Sequence, residues 1–346
     1  MNGIDELQIA TQLDEGRWRE FVEGHPHSNI FHTPEMWHVF ARTKGYQPYM
    51  WAAVDPHGRP AALMLPVQVT LYRGPLRSFS SRALVYGSVL PENGPRGTEA
   101  LQLLLREYNR NTNGILFTEM RNLTNLDSIQ PVLQTAGFHY EEQLNYLIHL
   151  DRPAEELLQS IGKRTRHRIR RAQKRQEVLI TEIKDRSELA LFYNLVKLSY
   201  ESARVPLADR SLFEAAFDVL HPKGMVKFLL AWVDDQCVAA SAELLYKDVI
   251  FGWYSGVKRE FSAYAPNEIL MWHLLEWGAN HGYRVYDFGG AGRSDRPYGV
   301  RDFKAKFGGE LVSYGRNIHV HNPASLVISK AAYQIYRRIK VHRMVT

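Results

Sequence analysis

Residues 283–310 read YRVYDFGGAGRSDRPYGVRDFKAKFGGE. The opening, 284–288, is rich in β-branched and aromatic residues and predicts a strand. It breaks at Gly289, Gly290 and Gly292, where backbone turns tightly or approaches a ligand. A polar loop follows, and residues 300–307 then set Arg301, Lys304 and Lys306 around the apolar Phe303 and Phe307. A second pair, Gly308-Gly309, leads into another strand. Exposed backbone N–H groups with lysine charge beside them suit an anionic, carbonyl-containing ligand. A surface loop with solvated charges is the competing reading of the same spacing.

Outward from this stretch, 266–280 predicts a helix and 249–256 a strand. Before them lies a hairpin, 226–233 and 237–246, turning at Asp234-Asp235-Gln236. One long helix is predicted from Pro153 to about Arg175, with Leu157, Ile161, Thr165, Ile169 and Ala172 inward. A strand at 177–183 and helices at 187–202 and 211–220 complete this half.

The N-terminal half opens with a strand at 8–13 and a helix at 17–23. Thr33 caps a helix that has Pro34 at its first position and runs to about Thr43. Strand 49–54, the turn at Asp55-Pro56-His57-Gly58 and strand 61–71 form a hairpin. Helix 97–111, strand 114–120, helix 130–136 and a closing strand at 145–150 follow. Val54-Asp55 recurs as Val233-Asp234, and each half continues helix, glycine, strand. This weak repeat predicts two similar α/β modules.

The 346 residues fit about two domains, and 45% hydrophobic with 12% aromatic residues allow a sizeable core. The lone Cys237 excludes an internal disulfide and a multi-thiolate zinc site. The 14 histidines show no ligand spacing, so no metal is expected. The start lacks a secretory h-region and no apolar run is long enough to span a bilayer, so a cytoplasmic protein is expected. Residues 323–343 read as a basic amphipathic helix, which either packs on the body or lies on the inner face of an anionic membrane.

Charge is concentrated. The formal net charge is +6, and KRTRHRIRRAQKR, residues 163–175, holds eight of the 43 basic residues and no acid. The other 35 face 37 acidic residues, so the remainder is near neutral. An anionic partner at this one helix is implied. Its candidate contacts are Arg164, Arg168 and Arg171.

DFGG followed by YGVRDFKAKFGGE resembles the C-terminal signature of the FemAB family of N-acyltransferases. FHTPEMW, RTRHRIRRAQKR and APNEILMWHLLEWGANHGYRVYDFGG are similar to further segments of that family. The resemblance covers most of the chain and is strongest after Asp151. It implies an α/β protein of two tandem GNAT-like domains with mixed sheets flanked by helices. The first would comprise 1–150 with 316–346, and the second 151–315. It also implies amide formation between an aminoacyl group carried by tRNA and an amine of a peptidoglycan precursor. The donor is then a co-substrate, and no bound cofactor is implied.

The resemblance also suggests roles for residues. Phe303-Lys304 is similar to the family's Phe-Lys pair, so Lys304 would stabilise the acyl oxyanion or hold the donor's phosphate–ribose. Asp287, at its strand end, either orients the amine or caps the following turn. Tyr254 lines the cleft or is a core tyrosine. Gly289 and Gly290 would offer backbone N–H groups. Arg204 and Lys44 are candidates for precursor phosphates. Residues 258–267, KREFSAYAPN, depart from the glycine-rich pyrophosphate loop of acetyl-CoA enzymes of this fold. Two alternatives stand beside this reading: an acyl-CoA-dependent N-acyltransferase acting on an amino sugar or exopolysaccharide precursor, and a non-enzymatic RNA- or membrane-binding protein.

Overall fold

The computed structural model describes residues 6–70 and 81–327. Beyond residue 327, the expected C-terminal helix lies outside the described residues. The chain divides into two compact units, Met1–Glu141 with Gly315–Thr346, and Glu142–Tyr314.

The first unit begins with β1 (Gln8–Ala10), α1 (Glu15–Gly24), α2 (Pro34–Ala41), β2 (Tyr46–Pro48), β3 (Trp51–Val54) and β4 (Pro60–Met64). It continues with β5 (Pro66–Thr70), β6 (Ser81–Tyr86), β7 (Leu90–Pro91), α3 (Pro95–Arg110), β8 (Phe117–Arg121), α4 (Gln130–Thr135) and β9 (His139–Glu141). The second unit begins with β10 (Leu144–His149), α5 (Ala154–Ser160), α6 (Lys163–Arg175), β11 (Leu179–Glu182), α7 (Leu189–Ala203) and α8 (Ser211–Leu220). It ends with β12 (Val226–Val233), β13 (Gln236–Tyr246), β14 (Val249–Val257), α9 (Pro266–Asn280), β15 (Val285–Asp287), α10 (Gly299–Ala305) and β16 (Glu310–Ser313). The strand β17 (Arg316–Val320) returns to the first unit and pairs with β8 and β9.

Local chemistry sets many boundaries. The Asp14 carboxylate accepts from Arg17 N at the start of α1, and Thr33 Oγ1 accepts from Met36 N at the start of α2. Each satisfies a helix N–H that has no partner within the helix. Val54 and Val233 both end the first strand of an antiparallel hairpin, as the repeat suggests.

The first unit holds a four-stranded sheet, β1-β3-β4-β7, and a six-stranded sheet, β2-β5-β6-β8-β17-β9. The expected strand 61–71 is therefore two strands, split at Leu65 between two sheets. Leu101, Leu104 and Leu105 of α3 are fully buried and cluster with Val85, Met120 and Phe138.

The second unit is one seven-stranded mixed sheet, β11-β12-β13-β14-β15-β10-β16. Its core joins Ile169 and Ala172 of α6 to Ile269, Trp272 and Leu275 of α9, with Ile250, Tyr286, Phe288 and Phe307. Burying each large apolar side chain stabilises the fold by roughly 1.5–3 kcal/mol.

Two expectations need correction here. The long helix 153–175 is broken at Ile161 and Gly162, because Gly162 N donates to Lys306 O at 2.9 Å rather than continuing a helical ladder. The strand at 145–150 does not close the first module. It lies between β15 and β16, with Leu147 opposite Asp287 on one side and Glu310 on the other.

Candidate active site

β14 and β15 run parallel for three pairs: Val249 with Val285, Ile250 with Tyr286, and Phe251 with Asp287. β15 then stops, while β14 continues to Val257. Beyond Phe251 and Asp287 the two strands no longer pair, and the DFGG turn forms a corner at the end of β15. Gly289 (φ 73°) and Gly290 (φ 124°) take backbone conformations that disfavour a side chain. At Gly289 an added Cβ would also stand 2.8 Å from Gly252 O.

Asp287, 5% exposed, pins this corner. Its Oδ1 accepts from Gly289 N at 2.7 Å and from Asn145 Nδ2 at 2.6 Å. Asn145 Oδ1 in turn accepts from Gly290 N at 2.8 Å. Asp287 thus caps the turn that follows it, and Gly289 and Gly290 N–H groups are spent inside the protein. Burial raises the Asp287 pKa above the usual aspartate value, against the hydrogen bonds and Lys304.

Lys304, on α10, closes over the same corner. Its Nζ donates to Phe288 O at 2.6 Å and to Gly290 O, and stands 5.4 Å from the centre of the Phe288 ring. Two of the three ammonium protons are used, which leaves one N–H. Burial brings the Lys304 pKa down to about 8, against the opposing pull of Asp287 and Glu243. Phe303 packs against the unit's core and meets Phe307 edge-on at 5.2 Å, so it anchors α10.

Tyr254 lies on the part of β14 that β15 no longer accompanies. Its ring meets Phe213 edge-on at 4.8 Å and lies 5.6 Å from Tyr200. It is half-buried, in an aromatic group with Trp253. Arg204 caps α7 in the left-handed conformation (φ 55°) and is exposed. Lys44 belongs to the other unit, in the turn between α2 and β2, and is also exposed.

The basic helix α6 sorts its cations into two sets. Arg166 donates to Gln159 O, Arg170 pairs with Glu155 at 2.7 Å and Arg175 pairs with Glu177 at 3.3 Å. Arg168 departs from the expected outward role. It turns onto the start of α9, pairing with Glu268 at 2.5 Å and donating to Ser262 O. Lys163, Arg164, Arg171 and Lys174 are exposed and make no ion pair among the described residues. Arg164, His167, Arg171 and Lys174 share one helical stripe.

At the N-terminus of α9 a nucleotide pyrophosphate would need free backbone N–H groups and no competing anion. The segment before it is a 3-10 helix, Arg259–Tyr264, without glycine. Glu268, 7% exposed, already sits in the first turn with the Arg168 guanidinium. These residues fit a pyrophosphate poorly. Among the described residues no group of His, Cys, Asp or Glu is placed to hold a metal ion, and no helix is long and apolar enough to cross a membrane.

Three contributors lay outside the motif reading. Asn145 and Glu268 are ordinary polar residues whose partners are distant in sequence. Glu243 in β13 is 2% exposed and accepts from Tyr286 Oη at 3.1 Å. Burial pushes its carboxyl up to about 8. A lone acid in the apolar run AASAELLY was its one available signal.

The parallel strands β14 and β15 are joined through α9 within a mixed sheet. A family profile described as an acetyltransferase (GNAT) domain matches residues 160–304. The chain has the GNAT fold. Among solved structures it is similar to the crystal structure of FemX, with TM-score 0.70 and 17% identity, covering 95% of this chain and 99% of that one. A tandem GNAT protein from the clavulanic acid biosynthesis pathway has TM-score 0.55 and 12% identity, with 92% and 100% covered. L-PGS from Bacillus licheniformis has TM-score 0.56 and 13% identity, with 93% and 98% covered. Curated relatives named lipid II:glycine glycyltransferase, from two strains of Staphylococcus epidermidis, are 20% identical over 276 residues. That match covers 58% of this chain and 66% of the relatives' length. These matches support the resemblance of this GNAT-fold chain to the FemAB family.

Proposed function

We propose that this protein is an N-acyltransferase that joins an aminoacyl group, carried as an ester on tRNA, to an amine of a peptidoglycan precursor. The observation that carries the reading is the Lys304 ammonium. It is held by two backbone carbonyls at the corner where the β14–β15 pairing ends, with one N–H left to donate.

The chemistry follows from that placement. The acceptor amine attacks the ester carbonyl carbon, and the carbonyl oxygen becomes an oxyanion. The remaining Lys304 N–H donates to it, in a buried setting where such a bond is strong. That attack forms the C–N bond, and collapse of the oxyanion restores the carbonyl and breaks the ester C–O bond. The proton lost by the amine ends on the ribose hydroxyl that leaves. Tyr254 and its aromatic neighbours form the wall along which the acyl group lies.

The tRNA donor is supported by the α6 stripe, where Arg164, Arg171 and Lys174 are exposed and uncommitted. The occupied start of α9 weighs against a nucleotide pyrophosphate. The names of the curated relatives motivate the precursor as acceptor. The alternative, acyl-CoA transfer to an amino sugar or polysaccharide precursor, draws on the GNAT domain match.

A donor screen tests the proposal. Purified protein receives labelled aminoacyl-tRNAs in one arm and acyl-CoAs in the other, each with a mixed extract of soluble and lipid-linked precursors. RNase-sensitive transfer to a precursor amine is the expected result. RNase-resistant transfer from acyl-CoA would replace the tRNA reading with the alternative. Binding of tRNA without transfer of any kind would favour a non-enzymatic role.

A further inference from the structure

We propose that Arg301 is a positioning residue for Lys304: its guanidinium clasps the loop that follows the DFGG turn onto α10 and so keeps the lysine seated at the corner. The proposal rests on the reading of Lys304 as the oxyanion donor and concerns a residue that the transfer chemistry above does not use.

Taken by itself, α10 is weakly held. It has seven residues, none of them buried, and no side-chain cap at Tyr298. Isolated helices this short are marginal in water. Its apolar anchorage comes from Phe303, which packs on the core, and from Phe307 just beyond, which is fully buried. Arg301 and Lys304, three residues apart, share a face of the helix.

Both cations on that face grip the backbone that precedes the helix. Lys304 Nζ donates to Phe288 O and Gly290 O. Arg301 Nη1 donates to Arg293 O and its Nη2 to Arg296 O, each at 2.6 Å. The four carbonyls follow one another along the chain, so helix and loop close on each other through these two side chains. The Arg301 guanidinium is spent on carbonyls and makes no ion pair among the described residues.

The base of the loop is fastened to β10 instead. Ala291 N donates to Leu144 O at 2.6 Å, and Leu144 N to Gly292 O at 2.8 Å. Past Gly292 the chain leaves that strand, and Arg301 draws Arg293 and Arg296 back to the helix. The planar guanidinium suits the task, because two terminal nitrogens reach carbonyls three residues apart, where a lysine has a single nitrogen. Without it the first turn of α10 loses its side-chain tie to the loop, and Lys304, one turn on, is free to swing off its own two carbonyls.

Competitive labelling of amines with acetic anhydride across a pH series, read by mass spectrometry at the Lys304 and Lys227 peptides, tests this without any substrate. A failure of the proposal is therefore distinct from a failure of the transfer reading. Seated at the corner, Lys304 is expected to titrate near 8; released to solvent, it moves toward the ordinary lysine value of 10.5. Lys227 on β12, 17% exposed and paired with Glu182 at 2.6 Å, reports opening of the whole unit. Arg301→Ala is expected to raise the Lys304 midpoint by about one unit or more and to leave Lys227 unchanged. Arg301→Lys, with one nitrogen in place of two, is expected to lie between. A Lys304 midpoint that stays near 8 in Arg301→Ala would overturn the proposal, because the lysine would then be seated by its own two carbonyls. Where Arg301→Ala shifts both lysines, Arg301→Lys decides: a shift of Lys304 alone sustains the proposal, and any other result overturns it.

Discussion

Asn145 and Asp287 stand 142 residues apart in sequence and share a 2.6 Å hydrogen bond from Nδ2 to Oδ1. This contact ties β10 to the end of β15, and the same amide holds Gly290 N at 2.8 Å. The corner under Lys304 is therefore set by a residue far from the DFGG motif. Asn145→Ala removes both bonds and leaves a buried carboxyl with one donor fewer. A loss of about 1–3 kcal/mol of stability is expected. Urea unfolding measures it, and an unchanged midpoint would mean the corner is held by β15 and Lys304 alone.

The α6 cations should separate by function. Arg164→Glu with Arg171→Glu is expected to weaken tRNA binding and to reduce its dependence on log salt by about 2, with thermal stability unchanged. Arg168→Ala should behave differently, because it strands Glu268 at 7% exposure. The guanidinium is about a third exposed, so solvent screens part of the pair. A cost of roughly 1–3 kcal/mol is expected, read as a lower melting temperature. Equal effects of the two changes on binding and on melting would refute the division.

Stability should depend on pH through two opposed groups. Glu243 has a folded value near 8, raised from an ordinary 4.5. Between those values the folded protein holds a proton that the unfolded chain has lost, so this contribution falls as pH rises. Lys304 is the reverse, near 8 against 10.5. There the unfolded chain holds the extra proton, so stability rises with pH across that window. Glu243→Gln is thus expected to gain on the unaltered protein as pH rises from 4.5 to 8. Denaturation midpoints over a pH series check this, and a constant difference would show that Glu243 titrates normally.

Much of the second unit was legible because its signals are local. The hairpin at Asp234-Asp235, the Pro266 helix start and the strand ending in Asp-Phe-Gly-Gly each depend on a few adjacent residues. What was not legible depends on distant partners. The break at Gly162 is fixed by Lys306 O, and the inward turn of Arg168 by Glu268, 100 residues away. Helical spacing identifies which cations share a face, but it does not say which of them meets a carboxylate. At the site, Lys304 and Asp287 were visible through the motif. Asn145 and Glu243 were not, since a strand's own pattern does not reveal which strand will lie beside it.

The most direct test of the account is single-turnover aminoacyl transfer from tRNA to a precursor amine, comparing the unaltered protein with Lys304→Ala. The ammonium is held for the oxyanion, so the rate is expected to fall about 10²–10³-fold while tRNA binding stays intact. A variant that transfers at the original rate would contradict the central claim, because the remaining Lys304 N–H would then have no part in the chemistry.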